Sequence, residues 1–377
     1  MPEQPEQPEQ PEQPERPDAV DSGPARLWAE DDIPELSAEE LDSQLNLLVQ
    51  SLADVLPDEV ATYARRAIVD QRRHDAAAAV AFALLRSRVP ATDDELAVLA
   101  ECLGAAGGSP EIVTDLVRAP TERLFPFDMV AYPELLTWQD DEDATEAPPP
   151  PGERVIDTDR TVLERVVVDG VLGVWRSWRL PGTDTPWPPA RPVYLVEVSG
   201  AQALSEVLAR AYGDPSVCGD PGGPVVEAYV SGAALPALLR SVQLSGDLVH
   251  EGDGAVSFRF ADVFEGEPGP DGRPPNVVPV PEGDADRMVS YLMSGSPLMV
   301  ADSGGDDVLD PERVGAVPLD LRTDGEWVWS DATAYYLAEH RVAPPADFRS
   351  HIDARGAVAP AVPDVRRHQA VAWLQTE

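Results

Sequence analysis

Four arginines, Arg65, Arg66, Arg72 and Arg73, form a basic island. If one helix runs through them, spacing by seven sets Arg65 over Arg72 and Arg66 over Arg73, and guanidinium forks on neighbouring faces suit a clamp on an anionic group. The alternatives are a solvated helix face partly neutralised by Asp70, or a grip on the chain's own acidic tail. Trp327 and Trp329 alternate with Val328, so in a strand both indoles project from one face. Exposed, they would make an aromatic platform for a partner, with Asp324 at the neighbouring turn as a further contact. The competing reading is that a helix from about Ala332, carrying Tyr335, Tyr336 and Leu337, folds back and buries both rings.

Catalytic patterns are sparse. There is no G-x-S-x-G elbow, no G-x-x-x-x-G-K-[ST] loop and no G-x-G-x-x-G turn, and the absence of lysine removes Schiff-base and P-loop chemistry. His74, His250, His340, His351 and His368 show no paired metal spacing, and His340 at a helix end suits the helix dipole. Asp302, Asp306, Asp307 and Asp310 lack the regular spacing and closing glutamate of a calcium loop and read as a solvated loop. Cys102 and Cys218 make neither a disulfide framework nor a zinc set, and Cys218 sits among acids that disfavour a thiolate. Neither a metal nor another cofactor is expected. For an enzyme, the remaining trio is Asp320, Asp324 and His340, close together in one hairpin-helix unit.

The elements that would position these residues are legible by period. Ser37 with Glu40 forms a capping box before Leu41, Leu45, Leu48, Val49 and Leu52, and Pro57 stops that helix. A second helix starts at Asp58, and Ala76 to Leu85 is apolar nearly all round, which suits a core. Thr92 and Glu95 cap a helix ending at Gly104, and a short one follows at Ile112 to Val117. Further on the period becomes two. Leu163 to Val168, Asp169-Gly170 and Val171 to Trp178 read as a hairpin. Strands at Val193 to Val198 and Val225 to Val230 alternate with helices at Ala201 to Tyr212 and Leu235 to Val242, suggesting one βαβα unit. A strand through Val256, Phe258 and Phe260, a helix at Ala285 to Met293 and a strand at Leu298 to Val300 come next. A hairpin at Val317 to Trp329 turning at Asp324-Gly325, then helices at Ala332 to His340 and Pro345 to Ala354, complete an α+β chain.

The domain reading is a tail at 1–35, a helical domain at 36–138, a linker at 139–154 and an α+β domain at 155–377, divisible near 266–276. The Pro-Glu-Gln triplet recurs four times from Pro2, and a segment with so little to bury is expected to be disordered, as a spacer or a recognition tail. QDDEDATEAPPPPGER at 139–154 is expected to join neither helix nor sheet. Of the formal charge of −40, −9 falls in residues 1–35 and −5 in 139–154, leaving −26 on the folded parts. Such a surface repels nucleic-acid phosphates and anionic lipid and favours a partner with a basic surface. All 28 basic residues are arginine, which points to a high-GC bacterial genome rather than to escape from lysine modification. The opening MPEQPEQPEQ is no signal peptide, and the ten-residue apolar run at Ala76 falls short of the roughly 20 residues a membrane span needs, so a cytoplasmic location is expected.

The stretch VPLDLRTDGEWVWSDATAYYLAEHRVAPPADFRSHI from Val317 to Ile352, with VYLVEVSGAQAL at Val193, resembles a module of uncharacterised acidic actinobacterial proteins. The resemblance covers about a third of the chain and implies an immunity-type setting but no catalytic residues. Composition and missing motifs together favour a non-enzymatic protein-binding protein, an antagonist or immunity-type partner. An enzyme with a carboxylate/histidine site and an acidic nucleic-acid mimic are the alternatives.

Overall fold

The computed structural model describes residues 37–53, 55–105, 110–119, 127–133, 151–181, 190–213, 218, 223–252, 257–264 and 280–375. The tail read at 1–35, most of the linker at 139–154 and the loop at 266–276 lie outside them. Ala38–Glu377 forms one compact unit, of the α+β class.

Helix α1 (Ala38–Ser51) buries Leu41, Leu45, Leu48 and Val49 along one stripe, with Leu52 just beyond its end. Helix α2 (Asp58–Val69) follows Pro57 and carries Asp58 and Glu59 in its first turn, where acids suit the dipole. Gln71 then takes a left-handed backbone and α3 (Arg73–Ser87) starts afresh. The wholly apolar stretch at Ala76 is buried on one face only: Ala76, Ala77, Val80, Ala81 and Leu84 are inside, while Phe82 and Leu85 are exposed. Helix α4 (Asp93–Gly104) has the expected Thr92/Glu95 capping box, and α5 (Glu111–Thr114) is a single turn.

Strand β1 (Phe127–Val130) precedes α6 (Glu153–Val166), which replaces the first arm of the expected Leu163 hairpin and takes in the last two residues assigned to the linker. Val155, Val162 and Val166 are its buried stripe, at i, i+7 and i+11. The β-branched run at its end carried the misleading strand signal. Asp169-Gly170 therefore joins a helix to β2 (Val171–Pro181) rather than two strands.

Strand β2 pairs antiparallel with β3 (Arg191–Val198), β1 and β5 (Asp247–Glu251), and β3 runs parallel to β4 (Val225–Val230). Helix α7 (Ala201–Tyr212) makes the β3–β4 crossover and α8 (Ala237–Ser245) follows, which is the βαβα unit read from the sequence. One sheet face packs Tyr194, Val196 and Val226 against Leu204, Val207 and Leu208 of α7. The other gathers Trp175, Leu195 and Tyr229 with Leu239 and Val242 of α8.

Strand β4 is an edge of this sheet, and α1 closes it. The side-chain amides of Asn46 and Gln50 donate to the Ala228 carbonyl at 2.8 and 2.9 Å, removing a free strand edge that would otherwise invite pairing. The helices read over 36–138 thus share buried contacts with the stretch read over 155–377.

A second sheet runs β6 (Arg259–Ala261), β9 (Trp327–Ser330), β8 (Leu321–Thr323), β7 (Ser296–Met299). Helices α9 (Glu282–Ser294), α10 (Asp331–His340) and α11 (Ala346–Arg355) supply Tyr291, Leu292, Leu337, Phe348 and Ile352 to its core. A Cβ on Gly295 would collide with the Trp329 indole, so only glycine lets α9 pass into β7 there. Helix α12 (Asp364–Leu374) docks on the first sheet, where both oxygens of buried Glu197 in β3 accept the N–H groups of Asp364 and Val365 at 2.8 Å.

Candidate functional site

The arginine island does not form. Because the chain turns at Gln71, Arg65 and Arg66 belong to α2 while Arg72 and Arg73 open α3, and each goes to its own partner. Arg65 pairs with Glu227 of β4, the two side chains being only 4% and 2% exposed. Arg66 donates to the Cys218 carbonyl at 3.2 Å, Arg73 pairs with Asp42 of α1, and Arg72 lies outside among Asp70, Asp75 and Tyr63. An anion clamp across two faces of one helix is therefore corrected to separate ties.

Trp327 and Trp329 share a face, as alternation requires, but are 2% and 0% exposed, so they offer no platform. They stack on Phe348 of α11 with centroids 4.9 and 5.3 Å away, and the Trp329 indole N–H donates to the Leu292 carbonyl at 3.2 Å. The burying helices are α9, α10 and α11 together.

The trio Asp320, Asp324 and His340 is split. Asp320 accepts the Ala301 N–H at 2.9 Å. Asp324 accepts the N–H groups of Glu326 and Trp327 on one oxygen, at 3.0 and 2.8 Å, which fastens the turn whose Gly325 has φ 89°. Its other oxygen takes the Tyr291 hydroxyl at 2.5 Å and lies 2.6 Å from Nε2 of His351. His340 instead meets Asp307 at 2.6 Å, and Asp307 also accepts the Tyr335 hydroxyl at 3.0 Å and the N–H groups of Leu309 and Asp310. Burial pushes both carboxyls up, but the donors around them prevail, so Asp307 and Asp324 titrate below the ordinary aspartate range. An ionised carboxylate with four donors has no lone pair left for a substrate proton. An open groove of about 490 Å³ runs past Asp324, Glu326, Arg355 and Arg366. Among the described residues no group of three His, Cys, Asp or Glu side chains could hold a metal ion. Burial raises the thiols of Cys102 and Cys218 to about 12, and both are free.

The aspartate run at 302–310 is not a uniformly solvated loop. Asp307 is buried and anchors it, Asp306 accepts the Gly315 N–H at 2.9 Å, and Gly305 and Val317 exchange two backbone hydrogen bonds. Val317 plugs into Ala332, Tyr336 and Val342. Around this anchored base stand exposed Val300, Val308, Val314 and Leu319, with exposed Asp302, Asp306 and Glu312 between them. Val300 is 79% and Val314 76% exposed.

Several polar residues of structural weight belong to no sequence motif. Arg176 of β2 joins Asp159, Asp247 and the Ala131 carbonyl, and Arg179 and Arg191 converge on Asp58. The usable signal was a lone charge inside an apolar strand run: Arg176 and Arg179 in VLGVWRSWRL, Glu197 in VYLVEV, Glu227 in VVEAYV. No family model matches the chain, and neither a curated protein nor a solved structure matches it. No helix among the described residues is long and apolar enough to cross a membrane.

Proposed function

We propose that this chain is a non-enzymatic protein-binding protein of the cytoplasm, an antagonist or immunity-type partner of another bacterial protein that presents a basic surface. The observation that carries this reading is the anchored segment between β7 and β8. Exposed apolar side chains interleaved with carboxylates, on a backbone fastened at Gly305, Asp306, Asp307 and Val317, make a surface that keeps its shape on binding. Apolar contact supplies affinity, pre-ordering lowers the entropy cost, and the acids select a cationic partner and speed encounter. The buried arginines add to this, since Arg65, Arg176, Arg179 and Arg191 spend their charge inside and do not neutralise the outer face. The four donors on Asp324 remove one carboxylate of the Asp320, Asp324 and His340 trio as a base, which weighs against the carboxylate/histidine enzyme.

The test is affinity capture from the native host with three baits: wild type, Val300→Arg/Val314→Arg, and Leu244→Arg, an exposed control on α8. A partner retained by wild type and the control, lost by the double variant and weakened at least tenfold by high salt supports the proposal. Capture that ignores the double variant, or the absence of any partner at low salt, defeats it.

A further inference from the structure

Helix α3 leaves half of its apolar surface uncovered. From Ala76 to Leu85 it carries no polar side chain, and a helix apolar all round belongs inside a core. Its neighbours α1, α2, α4 and α5 bury one face of it, at Ala76, Ala77, Val80, Ala81 and Leu84. On the opposite face Phe82 is 59% and Leu85 37% exposed, Ala78 and Ala79 are partly buried, and Asp75 and Arg86 stand exposed at the two ends. With 3.6 residues per turn, these six fall within an arc of roughly 120°.

The order of residues along that stripe selects its occupant. It runs from an acid, Asp75, through a notch of two small side chains, Ala78 and Ala79, to a large ring, Phe82, and a cation, Arg86. A two-fold axis between Ala79 and Phe82 brings the stripe onto its own complement. Phe82 of each copy enters the Ala78–Ala79 notch of the other as a knob enters a hole, and Asp75 and Arg86 of one copy face Arg86 and Asp75 of the other. Such reciprocity is what a two-fold contact between identical chains requires. A parallel arrangement would instead set Asp75 on Asp75 and Phe82 on Phe82. Asp75 is available for this role, because its pair with Arg72 at 2.9 Å is exposed on both sides and Arg72 keeps Asp70 when Asp75 turns away.

We propose that the chain forms an antiparallel dimer through α3, with Phe82 as the central anchor. The stripe is one helix wide and about 16 Å long from Asp75 to Arg86. That is small for an obligate interface, and each copy carries a net charge of −40, so the dimer is weak and concentration-dependent. It shares no residue with the segment at 300–319, so either surface can fail alone.

Sedimentation equilibrium of the full chain at physiological salt, from about 2 to 200 μM, covers the range of weak association. The wild type is expected to dimerise with a Kd of roughly 10 to 100 μM. Phe82→Glu, at an exposed position, is expected to stay monomeric. Asp75→Arg and Arg86→Asp each set like charges opposite one another and are expected to weaken the dimer roughly five- to tenfold. An equimolar mixture of these two single variants is expected to restore it, since each copy then supplies the charge the other lacks. A wild type that remains monomeric overturns the proposal, as does a mixture that associates no better than its components. A dimer indifferent to Phe82→Glu, or one abolished by Val300→Arg/Val314→Arg, does the same.

Discussion

Two buried carboxylates, Glu227 where α2 meets the first sheet and Asp324 in the second, are satisfied in opposite ways. Glu227 takes its main support from one guanidinium on a helix 162 residues away in sequence, and burial still pushes its carboxyl up. Asp324 collects two backbone N–H groups from its own turn, a tyrosine hydroxyl and a histidine, and its carboxyl sits below the usual range. Four short-range donors offset burial at Asp324, whereas the charges of Arg65 and Arg191 with a hydrogen bond from Gln50 do not offset it at Glu227. The first arrangement ties distant parts of the chain together at a cost in desolvation. The second fixes a local turn and a helix position.

The largest expected effect comes from breaking the first arrangement on one side. Arg65→Met leaves Glu227 buried and alone and should cost about 3 to 5 kcal/mol in urea unfolding, while Arg65→Met/Glu227→Leu should recover most of it. A double variant as unstable as the single would mean the pair is worth more than its desolvation, and the contrast with Asp324 would collapse.

Asp324→Ala should cost about 2 to 3 kcal/mol, because Tyr291, His351 and two N–H groups lose an acceptor together, and Asp324→Asn should cost less by keeping an oxygen for the turn. The pH dependence sharpens the point. Carboxyls depressed in the fold, as at Asp307 and Asp324, stabilise it above the unfolded aspartate value near 3.9, and that contribution is lost as pH falls through the lower folded value. Carboxyls raised in the fold, as at Glu197 and Glu227, act with the reverse sign: the fold loses stability as pH rises from the ordinary glutamate range toward their folded values. Asp324→Asn should therefore flatten the acid limb of a stability-versus-pH curve, and Glu197→Gln the limb just above it. An unaltered acid limb in Asp324→Asn would remove the distinction.

The smallest effect tests the helices apart from either carboxylate. Thr92→Ala opens the capping box of α4 and should lower stability by about 1 kcal/mol without changing the pH profile.

Elements with one dominant period were readable from residue types. Helix α7 and strand β4 have the ends read for them, and Thr92 with Glu95 caps α4. Helix α6 was misread because its last turn is β-branched, and α12 was missed because its start is fixed by Glu197, a strand residue 167 positions earlier. The candidate residues fared by the same logic. Alternation placed both tryptophans on one face, but burial depends on three helices, α9, α10 and α11, from separate stretches of the chain. The arginine island relied on a continuous helix, which one left-handed residue, Gln71, interrupts. Nothing local marks Arg65 as Glu227's partner, since Coulomb pairing has no sequence period.

The amides of α1 that close the β4 edge carry a consequence for the order in which the chain is made. Gln50 leaves the ribosome 178 residues before the carbonyl it will serve. At synthesis rates of roughly 5 to 20 residues per second, α1 waits about 9 to 36 s for its strand. Through that interval Leu45, Leu48 and Leu52 have only neighbouring helices to cover them, so the helices must either assemble provisionally among themselves or be shielded by a chaperone. Pulse-labelled nascent chains stalled before and after residue 230 would register the change as a step in protease resistance of α1.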